Sequence, residues 1–222
     1  MTHLVDVSHQ VTDGMTTYPG LPGPVIEDYL TFEDSQRNYA PGTEFSIARV
    51  SMVANTGTYL DTPAHRYREG ADLADLELEK VAGLPGVVVT AEAGQRAVGS
   101  DSFEGVDVQD RAVLIRTGWD RHWRTERYGD PEHPYLTEEG AKTLVGAGAV
   151  LVGIDSVNID DTSPHCGGAR PAHSTLLAAG VPVVEHLRDL DRLPAAGFTF
   201  FAVPVKMRGL ATFPVRAFAM VE

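Results

Sequence analysis

The chain has 222 residues, 43% hydrophobic and 22% charged, a balance that suits a globular protein with a substantial core and is read as one domain over 1–222. Its formal net charge of -13 argues against nucleic acid or an anionic membrane as a partner, because both reward basic patches. Cys166 is the only cysteine, which excludes an intrachain disulfide and a cysteine zinc cluster and fits a reducing cytoplasm.

The first residues lack a basic region followed by an apolar one, so no signal peptide is expected. No apolar run reaches the roughly 18 residues of a membrane span. Residues 4–8 read as a first strand. Residues 13–24 are rich in Gly and Pro and read as turns, with Tyr18 either beside a pocket or packed within the loop. A strand is expected over 25–31, an exposed loop over 32–43, and an alternating strand over 45–53.

That strand runs into residues 55–65, where Asn55, Tyr59, Asp61 and His65 recur at short intervals. Gly57 permits a backbone conformation that other residues resist. Pro63 fixes its own φ and biases Thr62 toward extended geometry. A carboxylate and an imidazole are thereby held on stiff backbone at a strand end, where reactive groups are commonly placed. The alternative is a polar loop with one surface histidine.

Further on, residues 73–81 suggest a short helical turn, 87–90 a strand, 101–108 a loop and 112–116 a buried strand. His122 and His133 lie in a polar, aromatic segment with no carboxylate at ligand spacing, so both are read as surface or pocket-rim residues. Thr137 caps a helix whose first turn holds Glu138 and Glu139. Residues 149–155 form the strongest strand candidate, apolar on both faces, with Asp155 at the end where open α/β sheets place functional groups. A long loop follows over 156–172. His173 then opens a short helix stopped by Gly180, and 182–187, 198–205 and 213–220 read as further strands.

The segment 55–65 resembles the signature of the cyclase family, which includes bacterial kynurenine formamidases and isatin hydrolases. The signature reads His-x-Gly-Thr-His-x-Asp-x-Pro-x-His. Gly57, Thr58, Asp61, Pro63 and His65 fall on it, while Asn55 and Tyr59 stand where its first two histidines belong. A second part of the pattern matches Gly153-Ile154-Asp155, Asn158, Asp160, His173, Leu176-Leu177 and Glu185, with Glu185 twelve positions after His173. Several motifs in the family's order are far more specific than one.

The resemblance implies an α/β fold, a mixed swivelling β-barrel-like sheet with surrounding helices, in subunits that form dimers or tetramers. It implies that Asp61 bridges two metal positions, that His173 and Glu185 hold the second, and that His65 is the acid-base residue. The residues at 55 and 59 weaken the first position, since an amide oxygen and a phenol of pKa near 10 are poor ligands. Two outcomes stay open. One divalent cation, zinc or manganese, sits on Asp61, His173 and Glu185 with open positions. Alternatively the site is metal-free, with Tyr59 and Asn55 donating to a substrate oxygen and His65 moving protons. The leading function is hydrolysis of an amide or cyclic amide C–N bond in a small molecule. The alternatives are a metal-independent cyclase or dehydratase and a non-catalytic small-molecule binding protein.

Overall fold

The computed structural model describes residues 2–222. Its strands, in chain order, are β1 (His3–Asp6), β2 (Val25–Leu30), β3 (Ile47–Ser51), β4 (Tyr59–Asp61), β5 (Ala82–Thr90), β6 (Ala97–Val98), β7 (Ala112–Arg116), β8 (Tyr135–Leu136), β9 (Leu151–Ile154), β10 (Val183–Glu185), β11 (Ala196–Phe201), β12 (Thr212–Pro214) and β13 (Phe218–Val221). The α-helices are α1 (Phe32–Gln36), α2 (Glu138–Gly146) and α3 (Pro171–Ala178).

Nine strands form one curled, half-barrel-like sheet in the order β1-β13-β11-β5-β7-β9-β10-β4-β12. The centre, β5-β7-β9-β10, is parallel, and the remaining pairs are antiparallel. This is the mixed α/β architecture expected from the sequence. Side chains alternate along the central strands, so each strand feeds two cores. Leu114, Leu151 and Val184 pack with Val5, Leu60 and Phe200 on one face. Val113, Ile115, Val152 and Ile154 pack on the other with Leu144 of α2 and Leu176 of α3. Burial on both faces is why these segments read as unbroken apolar runs.

α2 starts where its cap predicts: Thr137 Oγ1 accepts from the Gly140 N–H at 3.0 Å. α3 starts two residues before His173, with Pro171 at its first position, where a missing N–H costs nothing. The loop expected over 32–43 contains α1, capped by Thr31. Five residues are too few to show a helical period in the sequence. The run 213–220 divides between β12, which is one edge of the sheet, and β13, which lies beside the edge strand β1 at the other end.

β2 and β3 pair only with each other. Along them Val25, Ile26, Tyr29, Ile47 and Val50 are exposed, as is Phe32 in the following helix. The alternation in 45–53 therefore marks a strand as expected, but one that buries neither face in this subunit. Among the described residues, no helix is long and apolar enough to cross a membrane.

Candidate active site

Strand β4 lies between β10 and β12, antiparallel to both. Its register sets Tyr59 opposite Glu185 and Asp61 opposite both Val183 and Thr212. Leu60 points into the core and is completely buried. Tyr59 and Asp61 consequently share the other face, as residues two apart on a strand must. The Tyr59 hydroxyl donates to Glu185 Oε2 at 2.5 Å and lies 3.2 Å from the Tyr18 hydroxyl. Thr212 Oγ1 donates to Asp61 Oδ1.

The approach to β4 depends on Gly57. Its φ is +65°, and a Cβ there would meet Val11 Cγ2 at 2.9 Å. Gly57 N–H donates to Thr17 Oγ1 at 2.9 Å, and Thr58 Oγ1 accepts from the His9 N–H at 2.9 Å. After β4, Pro63 opens a single 3-10 turn, Pro63–His65. That turn folds His65 back until its Nδ1 is 3.3 Å from Asp61 Oδ1 and 3.0 Å from Thr212 Oγ1.

His173 arrives from α3. Asp160 accepts from the N–H groups of Ala172 at 2.6 Å and His173 at 3.1 Å, which caps the helix. The same carboxylate takes His173 Nδ1 at 2.6 Å. A carboxylate on one ring nitrogen fixes the tautomer and frees the other nitrogen as a ligand. That other nitrogen, Nε2, lies 3.5 Å from Asp61 Oδ2 and 3.6 Å from Glu185 Oε1. Glu185 Oε1 also accepts from the Ile159 N–H at 2.6 Å.

Asp61, Asp160, His173 and Glu185 are all buried. Burial alone would lower the His173 pKa, but Glu185, Asp160 and Asp61 together raise it to about 10. Burial and the neighbouring Asp61 push Glu185 up to about 7, against the opposing pull of His173 and the hydrogen bonds from Tyr59 and Ile159. Burial, then Glu185, hold the Tyr59 phenol well above its usual range, so it is a neutral donor. Three buried carboxylates around one imidazole form a site that favours added positive charge.

Asp61 Oδ2 and His173 Nε2 are buried and have no hydrogen-bond partner. Two ligands about 2.0–2.2 Å from a tetrahedral ion stand roughly 3.4 Å apart, close to the separation of these two atoms. Asp61, His65 and His173 also form a group with ligand-type atoms within 4.8 Å of one another. The donor set thus fits a divalent cation.

These groups border a cavity of about 200 Å³ lined by Tyr18, Leu21, Asn55, Tyr59, His65, Asn158, His173 and Glu185. The structure therefore brings Asn55, Tyr59, His65, His173 and Glu185 to one cavity, with Asp61 directly behind His65 and His173. Tyr18 reaches this wall as well, held by Asn158 Nδ2 at 2.9 Å and by the Val157 carbonyl. Sequence reasoning did not single out Thr212 or Leu21. No local pattern marks Thr212, whose place is set by a strand pairing across 151 residues.

Two expectations change. His133 is not on the surface: it is fully buried, with Nδ1 3.1 Å from Ser156 Oγ and Nε2 2.8 Å from Thr162 Oγ1. A histidine with both nitrogens satisfied is tolerated inside. Asp155, at the end of β9, accepts from Thr117 N–H, Thr117 Oγ1 and Gly118 N–H at 2.6–2.8 Å. It pins the turn after β7 and does not border the cavity.

A model of the Cyclase family matches residues 5–161. The chain is 28% identical over 219 residues to a protein of Geobacillus thermodenitrificans called kynurenine formamidase, covering 98% of this chain and 97% of that one. Among solved structures it is similar to isatin hydrolase A from Labrenzia aggregata, with a TM-score of 0.81 at 24% identity, covering 99% of this chain and 94% of the other. A structure described as a potential metal-dependent hydrolase with cyclase activity aligns at a TM-score of 0.79 and 24% identity, covering 100% of this chain and 99% of the other.

Proposed function

The chain belongs to the cyclase family, and on that premise we propose that it hydrolyses an amide or cyclic amide C–N bond in a small molecule. The relatives called kynurenine formamidase support this chemistry. The observation that carries it is the unpartnered pair of buried atoms, Asp61 Oδ2 and His173 Nε2, facing each other beside an exposed His65.

Asp61, His173 and Glu185 would hold one divalent cation, zinc or manganese. Such an ion supplies a polarised substrate carbonyl and a water acidic enough to ionise near neutral pH. Around it, the residues divide the work. His65 takes the proton of the attacking water and returns it to the departing nitrogen, a role worth roughly 10²–10⁴ in rate. Asp160 keeps His173 turned toward Asp61. Asn55 makes no side-chain hydrogen bond among the described residues, which leaves its amide free to hold a substrate oxygen. Tyr59 and Tyr18 close the wall beside Glu185.

A second reading rests on Tyr59. Its hydroxyl is committed to Glu185, at the position where the family's signature carries a histidine. A metal-independent cyclase or dehydratase would use that neutral donor, with Asn55, to steady a carbonyl oxygen while His65 moves the proton.

Elemental analysis separates the two, on protein purified without a metal-affinity column or chelator and assayed on aryl formamides and lactams. About one zinc or manganese per chain, with hydrolysis lost on chelation and regained on reloading, supports the first reading. No metal, and no gain on adding one, would sink it in favour of the second.

We also propose a cytoplasmic homodimer or homotetramer folded as one domain. The lone cysteine fits a reducing compartment. A two-stranded sheet is marginal by itself in water, and the exposed apolar residues of β2–β3 form a patch of the kind that subunits cover. Light scattering after size exclusion tests the subunit number.

A further inference from the structure

We propose that Thr212 is a positioning residue that holds His65 in its Nδ1–H tautomer and so leaves Nε2 as the proton acceptor. The inference rests on the role given to His65 above and adds a residue to it.

Thr212 Oγ1 touches two groups at once, Asp61 Oδ1 and His65 Nδ1, the latter at 3.0 Å. A hydroxyl has one hydrogen to give and lone pairs to receive with. Asp61, while ionised, only accepts, so the Thr212 hydrogen goes to Asp61. At His65 the same oxygen must then accept, and Nδ1 must carry the hydrogen. Asp61 Oδ1, 3.3 Å from His65 Nδ1, agrees, since it too can only accept there. Which nitrogen of a neutral histidine holds the proton is set by the bond its other partner demands. At 3.0 Å Thr212 is the nearer partner, and 3.3 Å lies beyond the usual N–H···O range. The threonine thus passes the orientation of a buried carboxylate to an exposed ring.

Thr212 is buried, and its place opposite Asp61 is fixed by the β4–β12 register. A valine suits that strand position as well as threonine does. The strand pairing therefore does not need the hydroxyl, although the buried Asp61 Oδ1 loses a donor with it, whereas the proposed role does. With Nδ1 protonated toward Thr212, this nitrogen has no lone pair for a cation. The lone pair that His65 keeps is then on Nε2, the nitrogen to which the proposal gives the proton.

The test is long-range ¹⁵N–¹H NMR on histidine-labelled protein, with His65→Gln used to identify the His65 signals. The neutral wild-type ring is expected to show the Nδ1–H pattern. Thr212→Val should raise the Nε2–H population, and Thr212→Ser should restore the wild-type pattern. With a hydrolysable amide, Thr212→Val should lower kcat about tenfold or more with KM changed less than about threefold, and Thr212→Ser should recover most of the loss. A wild-type ring protonated at Nε2, or an unchanged pattern in Thr212→Val, overturns the proposal. The tautomer is read without substrate, so the NMR outcome holds whether or not amides are hydrolysed. If Thr212→Val does not fold, the wild-type tautomer and Thr212→Ser still decide.

Discussion

Tyr59 and Glu185 face each other across an antiparallel strand pair, and the phenol donates to the buried carboxylate at 2.5 Å. Tyr59→Phe leaves Glu185 Oε2 without this donor in a buried place. The variant should lose about 1–3 kcal/mol of stability, the usual cost of an orphaned buried acceptor, read as a lower urea midpoint. An unchanged midpoint would show that Glu185 finds another partner. Turnover measured on the same protein tells whether the hydroxyl also serves the reaction.

The paired substitution Asn55→His with Tyr59→His rebuilds the signature the sequence lacks. It replaces an amide and a neutral phenol on the cavity wall with two imidazoles. Metal content should rise from about one to about two ions per chain. A count that stays at one would show that the wall at Tyr18 and Glu185 leaves no room for a second ion.

His65 is exposed, packs near His173 with ring centroids 5.5 Å apart, and contributes little to the core. His65→Ala should therefore cut turnover about 10²-fold or more while thermal unfolding barely changes. Full turnover in this variant would remove His65 from the chemistry.

Asp160 never borders the cavity, yet it sets the His173 ring. Asp160→Asn should weaken divalent-cation affinity roughly 10–100-fold, as losses behind a metal ligand do. Competition with a chromophoric chelator measures this without any substrate.

Three buried histidines make stability depend on pH. Burial, helped by Arg188 and Arg124, lowers the His9 pKa from 6.5 to about 3. Burial holds His186 well below its ordinary value and lowers His133. Each is neutral when folded and takes a proton when unfolded below pH 6.5, so the unfolded state binds more protons and acid favours unfolding. For His9 the stabilising contribution is present above pH 6.5 and drains away as pH falls toward 3. Its slope is about 1.4 kcal/mol per pH unit. His9 stacks on Trp123 at 3.8 Å between centroids, so His9→Phe keeps the stack and removes the proton. The stability slope between pH 4 and 6 should flatten by that amount. Equal slopes in the two proteins would rule His9 out.

What could be read from the chain divides by range. The buried strands and α2 were legible because their signals are local: apolar runs, a Thr cap, two acids in a first turn. The segment 55–65 stands out because its polar residues are close in sequence and its Gly and Pro are informative, but spacing alone also fits a polar loop, and only the resemblance to the cyclase signature implies a site. His133 was misread because its burial depends on Ser156 and Thr162, neighbours that only the fold supplies. α1 was missed because one turn leaves no period. The splitting of 213–220 was missed because the break at 215–217 carries no Gly, and Pro214 closes β12 only in the context of β4.

The sheet order also fixes when the site comes into being. Asp61 is made early, but the strand carrying Thr212 follows 151 residues later. At about 5–20 residues per second, a ribosome leaves Asp61 and Tyr59 without the β12 edge for roughly 8–30 s. The last strand, β13, then pairs with β1 at the far edge of the sheet. A growing chain therefore carries residues 55–65 long before it carries the site, and His65 acquires its hydroxyl partner only once Thr212 has been made.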